Sequence, residues 1–185
     1  MKVIGITGTN ASGKDTVAEY LIQKYGFKNY SLSDEIRFEL TKRGLEHTRD
    51  NMIRVGNEIR ENFEANELAI RAVKRIKEDG FEEVTITSIR NPAEIEEIKK
   101  NFHDFKLVFV DAPINLRYER SVSRGRVGDG ESLADFRDKE ALEMEGGEKG
   151  QRLIACSKLA DFSIINDGKL EILFEKIEKI FSSIY

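Results

Sequence analysis

One stretch near the amino end limits the folds open to this chain more than any other. The apolar run Val3-Ile4-Gly5-Ile6-Thr7 leads into Gly8-Thr9-Asn10-Ala11-Ser12-Gly13-Lys14-Asp15-Thr16, and Val17-Ala18 then begins a helical repeat. A buried-type strand, a glycine-bounded loop ending in lysine, and a helix in that order make a phosphate cradle. Successive backbone N–H groups of the loop converge on anionic oxygens, with the positive end of the helix behind them. Lys14 adds a full charge where β- and γ-phosphates would lie. Gly8, Asn10, Ala11, Ser12, Gly13, Lys14, Asp15 and Thr16 are therefore the expected nucleotide-binding residues.

The loop departs from the usual pattern at one place. Asp15 follows the lysine where a hydroxyl would reach Mg²⁺, and the hydroxyl comes one residue later as Thr16. A carboxylate beside a triphosphate is repulsive unless a metal lies between them. Asp15 is thus a candidate for contact with Mg²⁺, directly or through water, and Thr16 for the α-phosphate. The alternative is that Asp15 only favours the helix N-terminus.

With 185 residues and 39% apolar content, one compact domain with a core is expected over residues 1–185. A net charge of −4 gives no bulk attraction to nucleic acid, so any anionic ligand has to be held by local arginines. One cysteine, Cys156, allows no internal disulfide, and two histidines are too few for a structural zinc site. No apolar run has signal-peptide form or membrane-spanning length, so no membrane role is expected and the cytoplasm is the expected compartment.

Along the chain, strand patterns at Phe27–Leu32, 84–87, Leu107–Asp111 and Phe162–Asn166 join the first strand. Helical patterns alternate with them. A helix capped by Ser33-Asp34 runs to Gly44. A charged region from Arg49 to Asp79 reads as two helices broken between Phe63 and Leu68. Pro92 opens a helix through Ile98, Ile114–Val122 forms another, and Leu170–Ile184 an amphipathic last one. Residues 125–150 are glycine-rich and charged, and read as a mobile flap with one or two helices. Five strands alternating with helices imply an α/β, three-layer fold. A parallel sheet is covered on both faces, and ligands bind beyond the carboxyl ends of its strands.

The residues just past those strand ends carry the second signal. Ser31-Leu32-Ser33-Asp34-Glu35-Ile36-Arg37 sets a carboxylate and, one turn later, an arginine past strand two. Such a pair suits a phosphate-bearing acceptor, the arginine holding the anion and Asp34 orienting the attacking oxygen; the alternative is that Asp34 caps its helix. Arg90 emerges after strand three at the sheet's active edge. Arg117, Arg120 and Arg124 share a helical face, with Arg126 and Asp129 beyond, and could close over a transferring phosphoryl group; each alone could equally be a solvated charge. Arg54 and Arg60 flank Gly56 and by themselves read as surface charges. Transfer to an organic acceptor competes with water, which gives a closing flap its purpose.

With these motifs together, the chain resembles the P-loop nucleoside-monophosphate kinase superfamily. The branch it is most similar to includes deoxynucleoside-monophosphate and phosphomevalonate kinases and archaeal adenylate-kinase-related proteins, with dephospho-CoA kinases as cousins. GTNASGKDT, SLSDEIR, MIRVGNEIR, TSIRNPAEIEEI, RGRVGDGESL and ADFSIINDG carry the likeness over nearly the whole chain. The resemblance implies ATP as phosphoryl donor, Mg²⁺ as cofactor, a P-loop kinase-like fold with a mobile lid, and a monomer or homodimer. It also implies that Lys14 holds donor phosphates and that Arg37, Arg60 and Arg90, with Arg54 beside them, hold the acceptor. Arg120, Arg124 or Arg126 would close from a lid at 117–150, opposite an acceptor-binding region at 34–79. Asn166 to Gly168 would lie near adenine. Relatives usually carry an aspartate at Thr87-Ser88, and its absence shifts metal-ordering weight to Asp15, Asp34 and Asp111.

The expected activity is ATP- and Mg²⁺-dependent phosphoryl transfer to a nucleoside or deoxynucleoside monophosphate. Dephospho-CoA or phosphomevalonate kinase activity is the alternative within the class. A non-catalytic nucleotide-binding regulatory module is the alternative outside it. A switch GTPase is disfavoured because the chain has no N-K-x-D guanine motif.

Overall fold

The structure, a computed structural model, describes residues 1–125 and 132–184. Arg126 and Asp129 lie outside the described residues. The element order is β1 (Lys2–Gly8), α1 (Lys14–Tyr25), β2 (Lys28–Ser31), α2 (Leu32–Lys42), α3 (Arg49–Asn62), α4 (Glu67–Asp79), β3 (Glu83–Ile89), α5 (Pro92–Asn101), β4 (Phe105–Asp111), α6 (Ile114–Arg124), α7 (Leu133–Met144), α8 (Leu153–Lys158), β5 (Phe162–Ile165) and α9 (Leu170–Ile184).

The sheet is parallel, in the order β2-β3-β1-β4-β5. Its two faces follow the period of two in the strands. Val3 and Leu107 join a core with α2, α3, α4, α5 and α8. Ile4, Ile6, Val108 and Val110 join a second core with α1 and α9. The carboxyl ends of β1, β2 and β3 are neighbours, and there the chain places the glycine loop, the Asp34–Arg37 turn and Arg90.

Two glycines shape that edge. A Cβ on Gly8, at φ 141°, would lie 1.9 Å from the carbonyl oxygen of Val110, so the loop leaves the sheet only because residue 8 has no side chain. Gly13 precedes α1 in a left-handed conformation with no side chain capping the helix, which leaves the first-turn amides to an anion.

Three local expectations shift. The α2 helix starts at Leu32 directly after β2, with Ser31 as its N-cap residue and no side-chain cap bond. Asp34 is therefore inside the first turn, where it pairs with Arg37. β3 extends beyond 84–87 at both ends because β1 continues to pair with it up to Thr7–Ile89. Among its described residues the flap region holds one long helix, α7, which packs down. Phe136 is fully buried and meets the Tyr118 ring edge-on at 5.9 Å, and Glu140 pairs with Arg117.

Gly8→Ala should lower stability by on the order of 3 kcal/mol in urea unfolding, because both φ and the Val110 carbonyl oppose a Cβ. Gly26→Ala, at φ 76° with open space around the new methyl, should cost about 1 kcal/mol, the left-handed penalty alone. Equal losses would show that the close approach of β1 to β4 does not constrain the loop.

Candidate active site

The cradle is held by its own side chains. Ser12 is fully buried and donates its hydroxyl to the Thr9 carbonyl at 2.9 Å, and Lys14 Nζ reaches the same oxygen at 2.5 Å. Ala11 takes a left-handed φ of 57°. Thr9 donates through Oγ1 to Asp111 Oδ1 at 2.6 Å, which ties the loop to the end of β4. Asn166 donates from Nδ2 to the Ser12 carbonyl at 2.8 Å and lies where a Cβ on Gly13 would fall. This buried asparagine braces the loop from β5, while Gly168 two residues on packs against Ile172.

Beside the cradle opens a cleft of about 870 Å³. The structure brings Asn10, Lys14, Asp15, Asp34, Arg37, Arg60, Arg90 and Arg124 to its walls. Asp34 and Arg37 form a 2.7 Å ion pair at its outer rim. Arg124 donates to Asn10 Oδ1 at 3.1 Å, linking the end of α6 to the loop.

Arg90 is set in place from several sides. Its backbone N–H donates to Glu94 Oε2 at 2.7 Å, its carbonyl accepts from Arg152 N at 2.7 Å, and its guanidinium donates to Gln151 Oε1 at 2.5 Å. Glu94 is fully buried and also holds Arg60 through Nε at 3.2 Å and Nη2 at 2.9 Å. Arg60 is therefore a buried residue, 2% exposed, and its charge is already met by Glu94.

Other expected residues fall away from the cleft walls. Arg54 is half exposed and bonds Glu58 and Asn51 on its own helix. Thr16 sits in the first turn of α1 outside the walls of the cleft. Arg120 on α6 is likewise not a wall residue; its Nη1 is buried and has no hydrogen-bond partner among the described residues. Asp111 spends one oxygen on Thr9 and on the Ala112 amide, with Arg117 Nε at 3.5 Å. Its geometry serves the loop.

Among the wall residues that sequence reasoning did not single out are Arg49, Glu143 and Gln151. Each lies in a charged stretch with no motif, and burial alone distinguishes it from a surface charge. Thr87 and Ser88 also line the cleft. Ser88, at φ 62°, stands with Ser31 at 2.9 Å and Ser33 at 3.3 Å, a hydroxyl trio where the resemblance implies an aspartate.

The donor set suits Mg²⁺ brought in with phosphates better than a metal cage. No group of three or more His, Cys, Asp or Glu among the described residues is placed to hold a metal. Mg²⁺ commonly needs only one or two carboxylates beside substrate phosphates, and Asp15 on the cleft wall is such a carboxylate. Among the described residues no helix is long and apolar enough to cross a membrane.

Charge is distributed unevenly. Burial, and after it the positive charge of Arg90, lowers the pKa of Lys14 to about 8, although Asp15 and Glu143 pull it back up. Burial would push the Glu143 carboxyl up, but Arg90, Arg49 and Lys14 together hold it below the ordinary range.

A parallel β2-β3-β1-β4-β5 sheet with a glycine-lysine loop before its first helix defines a P-loop kinase-like protein. Comparison with solved structures agrees. Shikimate kinase from Bacteroides thetaiotaomicron superposes with a TM-score of 0.60 at 16% identity, over 99% of this chain and 98% of that one. A putative kinase from Chloroflexus aurantiacus gives 0.60 at 17%, over 100% and 97%. The family described as an AAA domain matches residues 7–137. The chain belongs to the UPF0200 family. It is 32% identical to a UPF0200 protein of Thermococcus gammatolerans over 98% of this chain and 95% of that protein. It is also 35% identical to a UPF0200/UPF0201 protein of Archaeoglobus fulgidus over 97% of its length, and spans 55% of that longer relative.

The lowered pKa of Lys14 has a measurable sign. Above about pH 8 the empty cradle loses its ammonium, and a triphosphate, which favours the charged form, raises the pKa on binding. Calorimetry in two buffers of different ionisation enthalpy should therefore show uptake of close to one proton at about pH 9 and almost none near pH 7. Lys14→Gln should abolish the difference. Binding heats at high pH that do not depend on the buffer would show that Lys14 does not face the phosphates.

Proposed function

We propose that this protein is an ATP- and Mg²⁺-dependent phosphotransferase acting on a small phosphate-bearing acceptor, foremost a nucleoside or deoxynucleoside monophosphate. The observation that carries the proposal is the meeting of two cationic sets in one cleft. Lys14 and the α1 terminus come from one side, and Arg90, Arg37 and Arg49 from the other. A cleft that only bound a nucleotide would not need the second set.

In this reading the loop amides and Lys14 hold the donor's β- and γ-phosphates. Arg90 and Arg37 hold the acceptor's anion and align it for in-line attack, and Asp34 orients the attacking oxygen. Mg²⁺, when bound with the donor, would neutralise charge on the transferring group, with Asp15 the residue placed to meet it. Arg124, already bonded to the loop through Asn10, would approach the transferring phosphoryl group from the lid side. Residues 34–79 then form the acceptor side and 117–150 the lid of a single kinase domain.

One observation favours a second reading, a nucleotide-responsive module without transfer. The Ser31, Ser33 and Ser88 hydroxyls stand where a metal-ordering carboxylate would be expected. A panel of nucleoside monophosphates, dephospho-CoA and phosphomevalonate, assayed with ATP and Mg²⁺, separates the readings. A phosphorylated product from a monophosphate is the expected result. Tight ATP binding with no product from any acceptor would favour the module.

Arg90→Ala should lower acceptor kcat/KM by about 10²- to 10³-fold. ATP affinity should stay close to the parent value, because removing a neighbouring positive charge does not weaken Lys14. Parent-like acceptor kinetics in this variant would place the acceptor elsewhere.

A further inference from the structure

Glu143 is a carboxylate in an unusual position. It rides on α7, within the proposed lid region, yet its side chain is 4% exposed and lines the cleft beside Lys14 and Arg90. Its Oε1 accepts from Arg49 Nη2 at 2.7 Å and from Nε at 3.2 Å, a side-on fork. Its Oε2 lies 3.4 Å from Arg90 Nη1. Cations from the start of α3 and the end of β3 thus converge on one anion supplied by the protein itself.

Planar guanidinium forks bind carboxylate and phosphate through the same donors. The place that Glu143 occupies is therefore the place where an acceptor's phosphate would be held. We propose that Glu143 is a built-in substitute for the acceptor's anion, keeping Arg49 and Arg90 in register while the site is empty and giving them up when the acceptor's phosphate arrives. The inference rests on the reading of this cleft as the acceptor site, and it makes Arg49 an acceptor-binding residue.

Charge requires the displacement. A phosphate beside a retained, enclosed carboxylate would meet strong repulsion, since like charges interact steeply away from bulk water. While the site is empty, Arg90, Arg49 and Lys14 hold this carboxyl below its ordinary range against the push of burial. The carboxylate therefore has to give up its place at the carboxyl-terminal turn of α7.

The surroundings of α7 define how the carboxylate can leave. At its carboxyl end the chain is tied down: Gly146 N donates to the Gln151 carbonyl at 2.8 Å, Arg152 N to the Arg90 carbonyl at 2.7 Å, and Asn91 Nδ2 to the Glu148 and Gly150 carbonyls at 2.9 and 2.8 Å. Toward its amino end α7 is bound to α6 through Glu140 with Arg117 and Phe136 with Tyr118. α6 itself stays tied down, Arg117 Nε donating to the Ala112 carbonyl at 2.7 Å and Arg124 to Asn10 Oδ1 at 3.1 Å, so the exchange is confined to the Glu143 end of α7. Acceptor binding is thereby felt at α7, which contacts α6 through Glu140 with Arg117 and Phe136 with Tyr118. The coupling energy is the difference between arginine–phosphate and arginine–Glu143 pairing.

The test uses inorganic phosphate and the full chain, and tracks the part of phosphate binding that Arg49→Met removes. Glu143→Gln should bind phosphate about tenfold tighter than the parent, because the internal competitor is gone. Glu143→Gln/Arg49→Met should lose that gain. Unchanged or weaker phosphate binding in Glu143→Gln overturns the proposal and leaves Glu143 a structural ion pair. If Glu143→Gln does not fold, hydrogen exchange of the parent decides. Phosphate should speed exchange over residues 133–144, and unchanged or slower exchange overturns the proposal. Neither readout needs turnover. A chain that transfers no phosphoryl group but shows these phosphate effects refutes the function alone, and a working kinase without them refutes only the role of Glu143.

Discussion

The Glu94 carboxylate is the interaction on which the cleft depends. It is fully enclosed, and its four hydrogen bonds reach three residues: Arg60 on α3 twice, and the backbone N–H groups of Arg90 and Asn91. A buried carboxylate with one missing partner is strongly destabilising, whereas one with all its oxygens satisfied is tolerated and fixes geometry. Asn91 completes the arrangement as N-cap of α5, its side chain accepting from Ala93 N while Glu94 closes the reciprocal bond. The end of β3 is therefore rigid at the residue whose guanidinium enters the cleft. The α3 helix is joined to the end of β3 through the same carboxylate.

That anchor sets the charge pattern of the cleft. Arg60 is met by Glu94 and Arg37 by Asp34, while Arg49 and Arg90 share Glu143, so each of these arginines has a carboxylate beside it in the empty cleft. Lys14 differs: its Nζ rests on the Thr9 carbonyl at 2.5 Å, which meets a hydrogen-bond need but supplies no opposite charge. Burial and then Arg90 lower its pKa, against the pull of Asp15 and Glu143. An anion entering the cradle meets an ammonium held by a carbonyl oxygen and the end of a helix. An anion entering the acceptor side has to exchange places with a protein carboxylate. The two halves of the cleft thus differ in kind: the cradle side attracts charge, and the acceptor side discriminates by the exchange.

Most of the fold was legible because its signals are periodic and local. The β-branched run around Ile86, the Pro92 start and the gap between Phe63 and Leu68 reflect backbone preferences that tertiary packing reinforced. The cradle was legible because its chemistry needs contiguous residues. The acceptor side was only half legible, because its residues come from separate elements and charge alone does not reveal burial. Arg60 and Arg54 are six apart on one helix and look alike in sequence. The first points inward to Glu94 and the second bonds Glu58 at the surface. Glu143 was invisible for the same reason, as one acid among several on a helix with little amphipathic contrast in sequence. Asp34 looks like a cap in sequence, but β2 passes into α2 without the loop that would put it at the cap position.

The hydroxyl trio belongs to the same charge balance. Ser31, Ser33 and Ser88 hydrogen bond to one another from the ends of β2 and β3, and Ser88 accepts a left-handed backbone to do so. A carboxylate at residue 88 would add a further negative charge to a cleft that already encloses Glu143. With both present, the arginines of the acceptor side would face two internal anions and hold an external one poorly. Neutral hydroxyls can orient water or an acceptor hydroxyl without that competition. The hydroxyl trio and Glu143 then belong to one electrostatic arrangement, in which the carboxylate beside Arg49 and Arg90 is carried on α7.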